Sequence, residues 1–192
     1  MEVSLAKPLS PSAQRVCLVA AQHFAQHGYD GSSLTVIAEG AGMRKASLYA
    51  HFSNKDSLYE QTLDLAFADQ EAAAKAAFAS EADGKMPGIE YLEALSSRYA
   101  ASVNFRFLLR SVYAPPHALE AQIIGKYRSF ENELRALFVS AAAKEDEKTR
   151  DLTESYLAVV DSLQVELIYN SAENYRARYR AVLRMLQHYY EK

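Results

Sequence analysis

Residues 24–58 read FAQHGYDGSSLTVIAEGAGMRKASLYAHFSNKDSL, and this stretch decides the fold. Apolar residues recur there at helical spacing in two short runs, the first formed by Leu34, Ile37, Ala38 and Ala41 and the second by Leu48 and Phe52. A turn with two glycines, residues 40–42, separates the runs. Two short helices joined by a glycine-containing turn predict a helix-turn-helix motif.

The same helical spacing extends to both sides of this stretch. Upstream, a helix is predicted over 12–27, with Ser12 as its cap and Gly28 directly after its end. Within the stretch, the second helix starts after Ser33 and the third covers 44–51. Downstream, a fourth helix begins near residue 55 and continues through an alanine-rich segment to residue 78, long enough to join two parts of the molecule.

The remainder of the chain is also helical in pattern. Residues 83–88 form the clearest linker, and 144–150 form a second break. Further helices are predicted over 89–103, 105–113, 117–143, 151–169 and 174–190. We therefore expect an all-α protein with two domains. An N-terminal helix-turn-helix domain of three helices, residues 1–54 with a flexible arm over 1–11, is joined by the long fourth helix to a C-terminal helical domain, residues 55–192.

The composition agrees with a helical globular protein and bears on the class of partner. The 192-residue chain is 49% hydrophobic and 23% charged, with only 7 Gly and 5 Pro. Its net charge of -3 argues weakly against a nucleic-acid partner. This average hides a local excess of positive charge, because Arg44, Lys45 and Lys55 are the only charged residues from position 42 to position 55.

Cysteine usage and hydropathy bear on the compartment. The one cysteine, Cys17, excludes an intrachain disulfide and lies in an apolar helical run, so we expect a buried thiol and a reducing, cytoplasmic location. No apolar run reaches the ~18 residues of a membrane span, and no signal pattern opens the sequence. We therefore expect no membrane partner.

From residue 15 to residue 58 the chain resembles the DNA-binding domain of the tetracycline-repressor (TetR) family. The resemblance rests on four motifs at the family's internal spacing: FAxxGY at 24–29, IAExAG at 37–42, LYxHF at 48–52 and NKDxL at 54–58. A lone helix-turn-helix pattern is a weak signal, whereas this extended one is specific. The chain length and the helical remainder also fit the family.

The resemblance implies a set of DNA contacts. Base-edge contacts are implied at Thr35, Lys45, Ala46, Ser47 and Ala50, and phosphate contacts at Ser33, Tyr49, His51 and Lys55, with Arg44 beside them. The residues themselves support these roles, because the outward positions of the third helix are cationic, hydrogen-bonding or small. Arg44 and Ala50 depart from the residues usual in the family, which bears on the operator sequence. The alternative is that Tyr49 packs, that His51 is a surface histidine and that the cations are solvated.

The last two predicted helices are apolar over more than one stripe, so each must bury more than one face. One face would pack on the same chain and the other on a symmetry mate, as the resemblance also implies. The candidate dimer residues are Val160, Leu163, Leu167, Tyr179, Val182 and Leu186. The alternative is that these residues form the core of a monomer.

The helices between would surround a small-molecule effector. Aromatic walls with a few polar groups are typical of ligand pockets, and the candidates are Phe107, Arg110, Tyr113, His117, Tyr127 and Tyr156. Arg110 is the most suggestive, because it stands in an otherwise apolar stretch and would hold an anionic or carbonyl-bearing ligand. The alternative for each is ordinary packing, or for Arg110 an ion pair with an acid.

These features predict a homodimeric DNA-binding transcriptional regulator, a repressor that releases double-stranded operator DNA when it binds a small molecule. A helical scaffold module without specific DNA recognition, or an activator using the same contacts, remain alternatives. No enzyme is expected, because the sequence contains no glycine-rich phosphate loop and no nucleophile elbow. His23 and His27 have a metal-binding spacing but no third ligand, so we expect neither a metal nor a cofactor.

Overall fold

The computed structural model describes residues 9–82, 84–142, 146–169 and 172–191, and within these ranges regular structure is helical throughout. The helices are α1 (Pro11–His27), α2 (Leu34–Gly40), α3 (Lys45–Tyr49), α4 (Lys55–Ala79), α5 (Ile89–Ala101), α6 (Val103–Tyr113), α7 (Glu120–Ala141), α8 (Glu147–Tyr169) and α9 (Ala172–Glu191). A 3-10 turn, His117–Leu119, precedes α7. The prediction of an all-α protein is confirmed.

Several helix ends differ from the sequence prediction, and local capping explains two of them. α1 is capped by Ser10 rather than Ser12, since the Ser10 hydroxyl accepts from the backbone N–H of Ala13 at 3.3 Å and Pro11 opens the helix. α8 starts four residues earlier than predicted, because the carboxylate of Asp146 accepts from the N–H of Thr149 at 2.8 Å. The other residues of that predicted break include Lys144 and Glu145, which lie outside the described residues.

The chain divides into two compact units, unit 1 up to Leu65 and unit 2 from Ala66 onward, so the division falls inside α4. In unit 1, α2 packs against both α1 and α3. The core is apolar and small: Val16, Cys17, Ala20, Phe24, Ile37, Leu48, Phe52 and Leu58 are almost completely buried. Burial raises the pKa of the Cys17 thiol to about 11, so this cysteine is the neutral buried thiol that the sequence predicts.

In unit 2, α8 is the central helix, and it packs against α5, α6, α7 and α9. Tyr156 of α8 is fully buried beside Phe138, with ring centroids 4.9 Å apart, and its hydroxyl donates to the carbonyl of Gly88 at 3.1 Å. Gly88 has a positive φ of 81°, and a Cβ there would lie 2.4 Å from the Tyr156 ring. The start of α5 therefore favours a glycine for two reasons: the backbone has a positive φ, and a Cβ would overlap the Tyr156 ring.

Among the described residues, no helix is both long enough and apolar enough to cross a bilayer.

Candidate functional site

The third helix of unit 1 has one buried side and one open side. Leu48 is 0% and Phe52 1% exposed, and these two side chains anchor the helix on the core of unit 1. The remaining side chains from residue 44 to residue 51 are all exposed: Arg44, Lys45, Ala46, Ser47, Tyr49, Ala50 and His51. This segment is therefore a short helical rod whose cationic and hydrogen-bonding side is exposed.

Two side chains of the open face interact with each other. Tyr49 is 46% exposed although its ring is large and apolar, and Lys45 Nζ lies 6.0 Å from the ring centroid. His51, at the end of the segment, is linked to α1 through a 3.1 Å hydrogen bond between its Nε2 and the hydroxyl of Ser12. The Lys45–Tyr49 pair leaves a cation and a phenol hydroxyl side by side on the surface, and both groups can bind phosphate.

Lys55 is half-buried, and its ammonium is bound by the backbone of unit 1. Its ammonium donates to the carbonyls of Tyr29 at 2.7 Å and Ser32 at 3.2 Å, and it lies 4.3 Å from the centroid of the Tyr29 ring. The Tyr29 hydroxyl donates in turn to the carboxylate of Asp56, and burial together with that carboxylate raises the pKa of Tyr29 to about 12. Lys55 therefore has an internal structural role, in addition to the phosphate contact that the sequence predicts for it.

The two candidate residues at the start of α2 differ in accessibility. Ser33 is exposed, but its backbone N–H, a candidate phosphate donor, donates to His23 Nε2 at 3.4 Å. Burial and the neighbouring His27 lower the pKa of His23, which favours the neutral ring that accepts this bond. Thr35 is half-buried. Among the described residues, no group of three or more His, Cys, Asp or Glu side chains is placed to hold a metal ion.

In unit 2 the candidate ligand residues do not form one pocket wall. Phe107 and Tyr156 are core residues, whereas Arg110 and His117 are exposed, His117 lying 3.7 Å from the carboxylate of Glu120. Tyr113 and Tyr127 meet at a residue outside this candidate set, Asp161. The six candidates are therefore two core residues, two surface residues and two members of one polar cluster.

That cluster joins α6, α7 and α8. The hydroxyls of Tyr113 and Tyr127 both reach Asp161 Oδ1, the former at 3.5 Å, and the Tyr113 hydroxyl also lies 3.2 Å from Gln164 Oε1. Burial raises the pKa of the Asp161 carboxyl, and the two tyrosine hydrogen bonds oppose that rise. Asp161 and Gln164 would be hard to select from sequence, because single polar residues in an apolar helix usually lie on its solvent face.

Three further polar side chains were missed for the same reason. Gln70 is 1% exposed, and neither its amide nitrogen nor its amide oxygen has a hydrogen-bond partner among the described residues. The hydroxyl of fully buried Tyr91 and Nη1 of Arg98 are likewise unpartnered within the described ranges. The one available signal was spacing: Gln70 stands three residues after Phe67 and four before Ala74, on the buried stripe of α4.

The candidate dimer residues fall into two groups. Val160, Leu163 and Leu186 are buried within the single chain, whereas Leu167, Tyr179 and Val182 are half-buried. Close to the second group, α9 exposes two large apolar side chains, Met185 at 57% and Tyr189 at 44%. A surface groove of about 510 Å³ runs between α8 and α9, and it is lined by Asp151, Leu152, Glu154, Ser155, Met185, Leu186 and Tyr189.

Comparisons with known sequences concern unit 1. Residues 18–62 match the family described as bacterial regulatory proteins, tetR family. Over 44 residues the chain is 48% identical to the biofilm operon icaADBC HTH-type negative transcriptional regulator IcaR of Staphylococcus aureus strain Newman. The corresponding identity with IcaR of Staphylococcus epidermidis is 39% over 44 residues. These matches span 23% of this chain and 24% of the length of the Staphylococcus proteins.

Solved structures extend the likeness of fold to nearly the whole chain. A TetR-family regulator from Agrobacterium tumefaciens has a TM-score of 0.72 at 18% identity, covering 92% of this chain and 97% of that one. The fatty acid degradation regulator FadR from Bacillus halodurans has a TM-score of 0.74 at 17% identity, with coverages of 94% and 97%. Salmonella enterica GusR has a TM-score of 0.71 at 18% identity, with coverages of 98% and 99%.

The all-helical fold and the exposed third helix of unit 1 define the class of helix-turn-helix proteins. Within that class, the match over residues 18–62 adds the sequence signature, and the solved structures add the fold of the remainder. Residues 18–62 therefore carry the sequence signature of the TetR family of bacterial regulatory proteins, and the chain shares its fold with solved TetR-family structures.

Proposed function

We propose that the chain is a dimeric repressor that binds operator DNA through α3 and releases it when unit 2 binds a small molecule. The observation that carries the proposal is the two-sided character of residues 44–51, with Leu48 buried and seven other side chains exposed. A short helix with one free, hydrogen-bonding side fits the major groove, where each base pair presents its own pattern of donors and acceptors.

The charges of the open face support a DNA partner despite the acidic chain. Arg44 and Lys45 are exposed at the start of α3, and no acid lies between Gly42 and Lys55 in the sequence. Cations at the phosphate backbone release counterions, which supplies much of the affinity for DNA. We assign base contacts to Lys45, Ser47 and Ala50, and phosphate contacts to Tyr49 and His51. IcaR is a negative transcriptional regulator, and we extend repression to this chain.

We assign the dimer contact to the exposed side of α8 and α9. Val182, Met185 and Tyr189 lie on α9 at i, i+3 and i+7, so they form one stripe of a helix. A second copy would cover this stripe and the adjoining groove by a two-fold interface. Such pairing would give two reading helices, which bind half-sites about 34–36 Å apart, one turn of DNA.

The dimer assignment is tested with Met185→Asp, which puts a charge on the proposed stripe. Sedimentation of the wild-type chain should give a dimer, and this variant should give a monomer at the same concentration. Ile124→Asp is the matched control, because Ile124 is also an exposed apolar residue, 38% exposed, on α7. A dimer that persists in Met185→Asp would place the contact elsewhere.

The DNA proposal is tested by titrating the protein against genomic fragments at fixed salt. We expect one or a few fragments to bind about 10³-fold or more tightly than the rest. On such a fragment, Lys45→Ala and Tyr49→Ala should each weaken binding; loss of the Lys45 cation should lower the salt slope by at most about one, whereas loss of the uncharged Tyr49 should leave the slope unchanged. Lys75→Ala removes the same charge from an exposed α4 residue paired with Glu133, and it should leave binding unchanged.

Uniformly weak binding to every fragment would refute the proposal of a specific operator. Unchanged affinity in the Lys45 and Tyr49 variants would refute the assignment of α3 as the reading helix, and it would favour a helical module without DNA recognition. Release by an effector is checked in the same assay, by adding candidate small molecules to the preformed complex.

A further inference from the structure

A groove of unit 2 lies between α5 and α9, apart from the surfaces assigned above. It has a volume of about 300 Å³, and it is lined by Glu93 of α5 and by Tyr175 and Tyr179 of α9. Glu93 is exposed and Tyr179 is half-buried, whereas Tyr175 is 6% exposed and forms the floor. A volume of this size is at the lower end for small-molecule sites, so a compact ligand fits.

Two tyrosine rings form most of the wall of this groove. Tyr175 and Tyr179 are four residues apart on α9, so they lie on the same face of the helix. Their rings have an interplanar angle of 6°, and the ring centroids are 6.2 Å apart. The face of an aromatic ring carries a negative electrostatic potential that attracts cations. The two rings therefore favour a cationic ligand over an anionic one.

The carboxylates beside the groove have the same preference. Within the described ranges Glu93 makes no salt bridge, whereas Glu90, on the same helix, is paired with Lys85 at 3.3 Å. Burial, and then the carboxylates of Glu93 and Glu90, raise the pKa of Tyr179 to about 12, so negative charge acts directly on this wall. A cation in the groove would give Glu93 an ion-pair partner that the chain itself does not supply.

A buried hydroxyl at the floor is a separate indication of a ligand. The hydroxyl oxygen of Tyr175 is buried and has no hydrogen-bond partner in the described part of the chain. Burial, together with Tyr179, raises the pKa of Tyr175 to about 12; the backbone of Ser96 opposes the rise, although it does not reach hydrogen-bond geometry. Native proteins leave few buried polar groups unsatisfied, and a hydroxyl on the ligand would satisfy this one.

The groove lies on a different flank of α9 from the proposed dimer stripe. Tyr179 and Met185 are six residues apart, so they stand about 120° apart around the helix axis. The groove beside Met185 is formed with α8, whereas the groove beside Tyr179 is formed with α5. A ligand between α5 and α9 is therefore compatible with dimer formation.

We propose that Glu93, Tyr175 and Tyr179 bind a small quaternary ammonium compound, with its charge beside Glu93 and its methyl groups against the tyrosine rings. Such a cation has no N–H group and is weakly hydrated, so aromatic rings suit it better than they suit a primary amine. Tyr179, a candidate dimer residue in the sequence, is here a ligand residue. The inference names the class of small molecule that unit 2 binds, and its effect on DNA rests on the proposed function.

The test is a titration of the full chain with choline, followed by calorimetry and by NMR of the ligand. The neutral counterpart is 3,3-dimethylbutan-1-ol, which has the shape of choline with carbon in place of the charged nitrogen. Choline should bind about tenfold or more tightly than this alcohol, and more tightly than the primary amine ethanolamine. Its trimethylammonium protons should shift upfield on binding, because ring currents shield protons above an aromatic face.

Two pairs of variants separate the charge from the rings. Glu93→Gln should weaken choline binding about fivefold, whereas Glu120→Gln removes the same charge from an exposed residue of α7 and should leave the affinity unchanged. Tyr179→Leu should weaken binding about fivefold and reduce the upfield shift, whereas Tyr179→Phe keeps the ring and should keep most of the affinity. Tyr169→Leu, at a residue of α8 that is 65% exposed, is the matched control.

The proposal is overturned if choline does not bind, or if the alcohol or ethanolamine binds as tightly as choline. It is also overturned if Glu93→Gln leaves the affinity unchanged, or if Tyr179→Phe loses as much affinity as Tyr179→Leu. Circular dichroism shows whether a variant is folded, and the phenylalanine variant keeps the test decisive if the leucine variant is not. Sedimentation of Tyr179→Leu should still give a dimer, and a monomer would assign Tyr179 to the dimer contact instead.

Failure of this site is distinguishable from failure of the proposed function, because the binding measurements do not involve DNA. Release of DNA by a compound of another class, without choline binding, would refute this site and leave the proposed function in place. Choline binding in the groove without any change in DNA affinity would leave the site in place and contradict release by its ligand.

Discussion

The two units differ in where they keep their polar side chains. In unit 1 the hydrogen-bonding side chains of α3 face outward, and the buried set is almost wholly apolar. In unit 2, by contrast, polar atoms are enclosed: every buried side-chain atom without a hydrogen-bond partner in the described ranges belongs to this unit, on Gln70, Glu81, Tyr91, Arg98, Glu166 and Tyr175.

This difference separates two ways of recognising a partner. A surface that meets DNA can keep its polar groups hydrated until contact, so an exposed array costs little stability. An enclosed site that meets a small molecule must hold its polar groups out of water beforehand, which costs stability that the ligand restores. Substitutions in unit 1 should therefore separate cleanly into stability effects and binding effects, whereas substitutions in unit 2 should often change both.

The largest expected change in the free energy of unfolding concerns the buried side of α3. Leu48→Ala removes a side chain that is 0% exposed, and it should lower the free energy of unfolding by about 2–5 kcal/mol. Val36→Ala is the control, because Val36 is 48% exposed on the neighbouring α2, and it should stay within about 0.5 kcal/mol. Urea unfolding followed by circular dichroism measures both. A small loss for Leu48→Ala would show that α3 is not anchored by this residue.

The next effect on stability concerns the interior of unit 2 and compares two glycines with nearly equal φ. Gly88 and Gly84 have φ of 81° and 82°, but only Gly88 faces the ring of Tyr156, while nothing lies within 4 Å of a Cβ at Gly84. Gly84→Ala should therefore cost about 1 kcal/mol through the backbone alone. Gly88→Ala should cost about 1–3 kcal/mol more, because of overpacking against Tyr156. Equal unfolding free energies for the two variants would contradict the close fit between Gly88 and Tyr156.

A smaller effect tests the internal role of Lys55. Lys55→Met keeps the apolar stem but removes the donors to the Tyr29 and Ser32 carbonyls, so it should cost about 1–2 kcal/mol of unfolding free energy. Lys45→Met, on the open face, should change stability by less than about 0.5 kcal/mol. Chemical unfolding of the pair gives the comparison. The idea of an internal brace fails if both variants are as stable as the wild type.

The smallest effect is a pH dependence in unit 2. Burial raises the folded-state pKa of Asp161, so the folded chain keeps this proton at a pH where the unfolded chain, with a pKa of about 3.9, has lost it. The free energy of unfolding should thus decrease as the pH rises from about 4 through the raised pKa. Asp161→Asn should flatten that decrease in urea unfolding at a series of pH values.

Glu154 supplies the control of opposite sign. Its hydrogen bond with Arg135 lowers the pKa of this carboxyl, so its contribution to stability is lost as the pH falls through the folded-state pKa. Glu154→Gln should alter the pH dependence in the opposite direction to Asp161→Asn, and only slightly, since the carboxylate is 63% exposed. An unaltered profile in Asp161→Asn would contradict the assignment of the shift to burial of this residue.

Sequence predicted the fold and the open face of unit 1 because both follow from local periodicity. The spacing of Leu48 and Phe52 determines which side of α3 is buried, and therefore that Lys45 and Tyr49 are exposed. The role of Lys55 could not be predicted in this way. Its hydrogen bonds to two carbonyls depend on how the turn before α2 folds back toward α4, and the periodicity of the sequence does not describe that.

The interior of unit 2 was harder to predict, because tertiary packing selects its members. Tyr113 and Tyr127 were selected as aromatics, but the acid that joins them lies 34 residues beyond Tyr127 on another helix. Arg110 and His117 have the right chemistry and point outward, whereas Gln70 and Arg98, which look like surface residues in the sequence, point inward. Which face of a helix meets a neighbour is set by the arrangement of several helices, and the residue pattern of one helix does not determine it.

The first turn of α4 holds the turn before α2 from two directions, with Lys55 on its carbonyls and Asp56 on the Tyr29 hydroxyl. These residues are neighbours in the helix, so a rotation of its first turn cannot release one link while keeping the other undisturbed. A shift of the first turn of α4 would therefore also move the turn before α2, because both links would be displaced together. Amide hydrogen exchange at residues 29–33 would report on that coupling, and faster exchange in Lys55→Met is the signature expected of it.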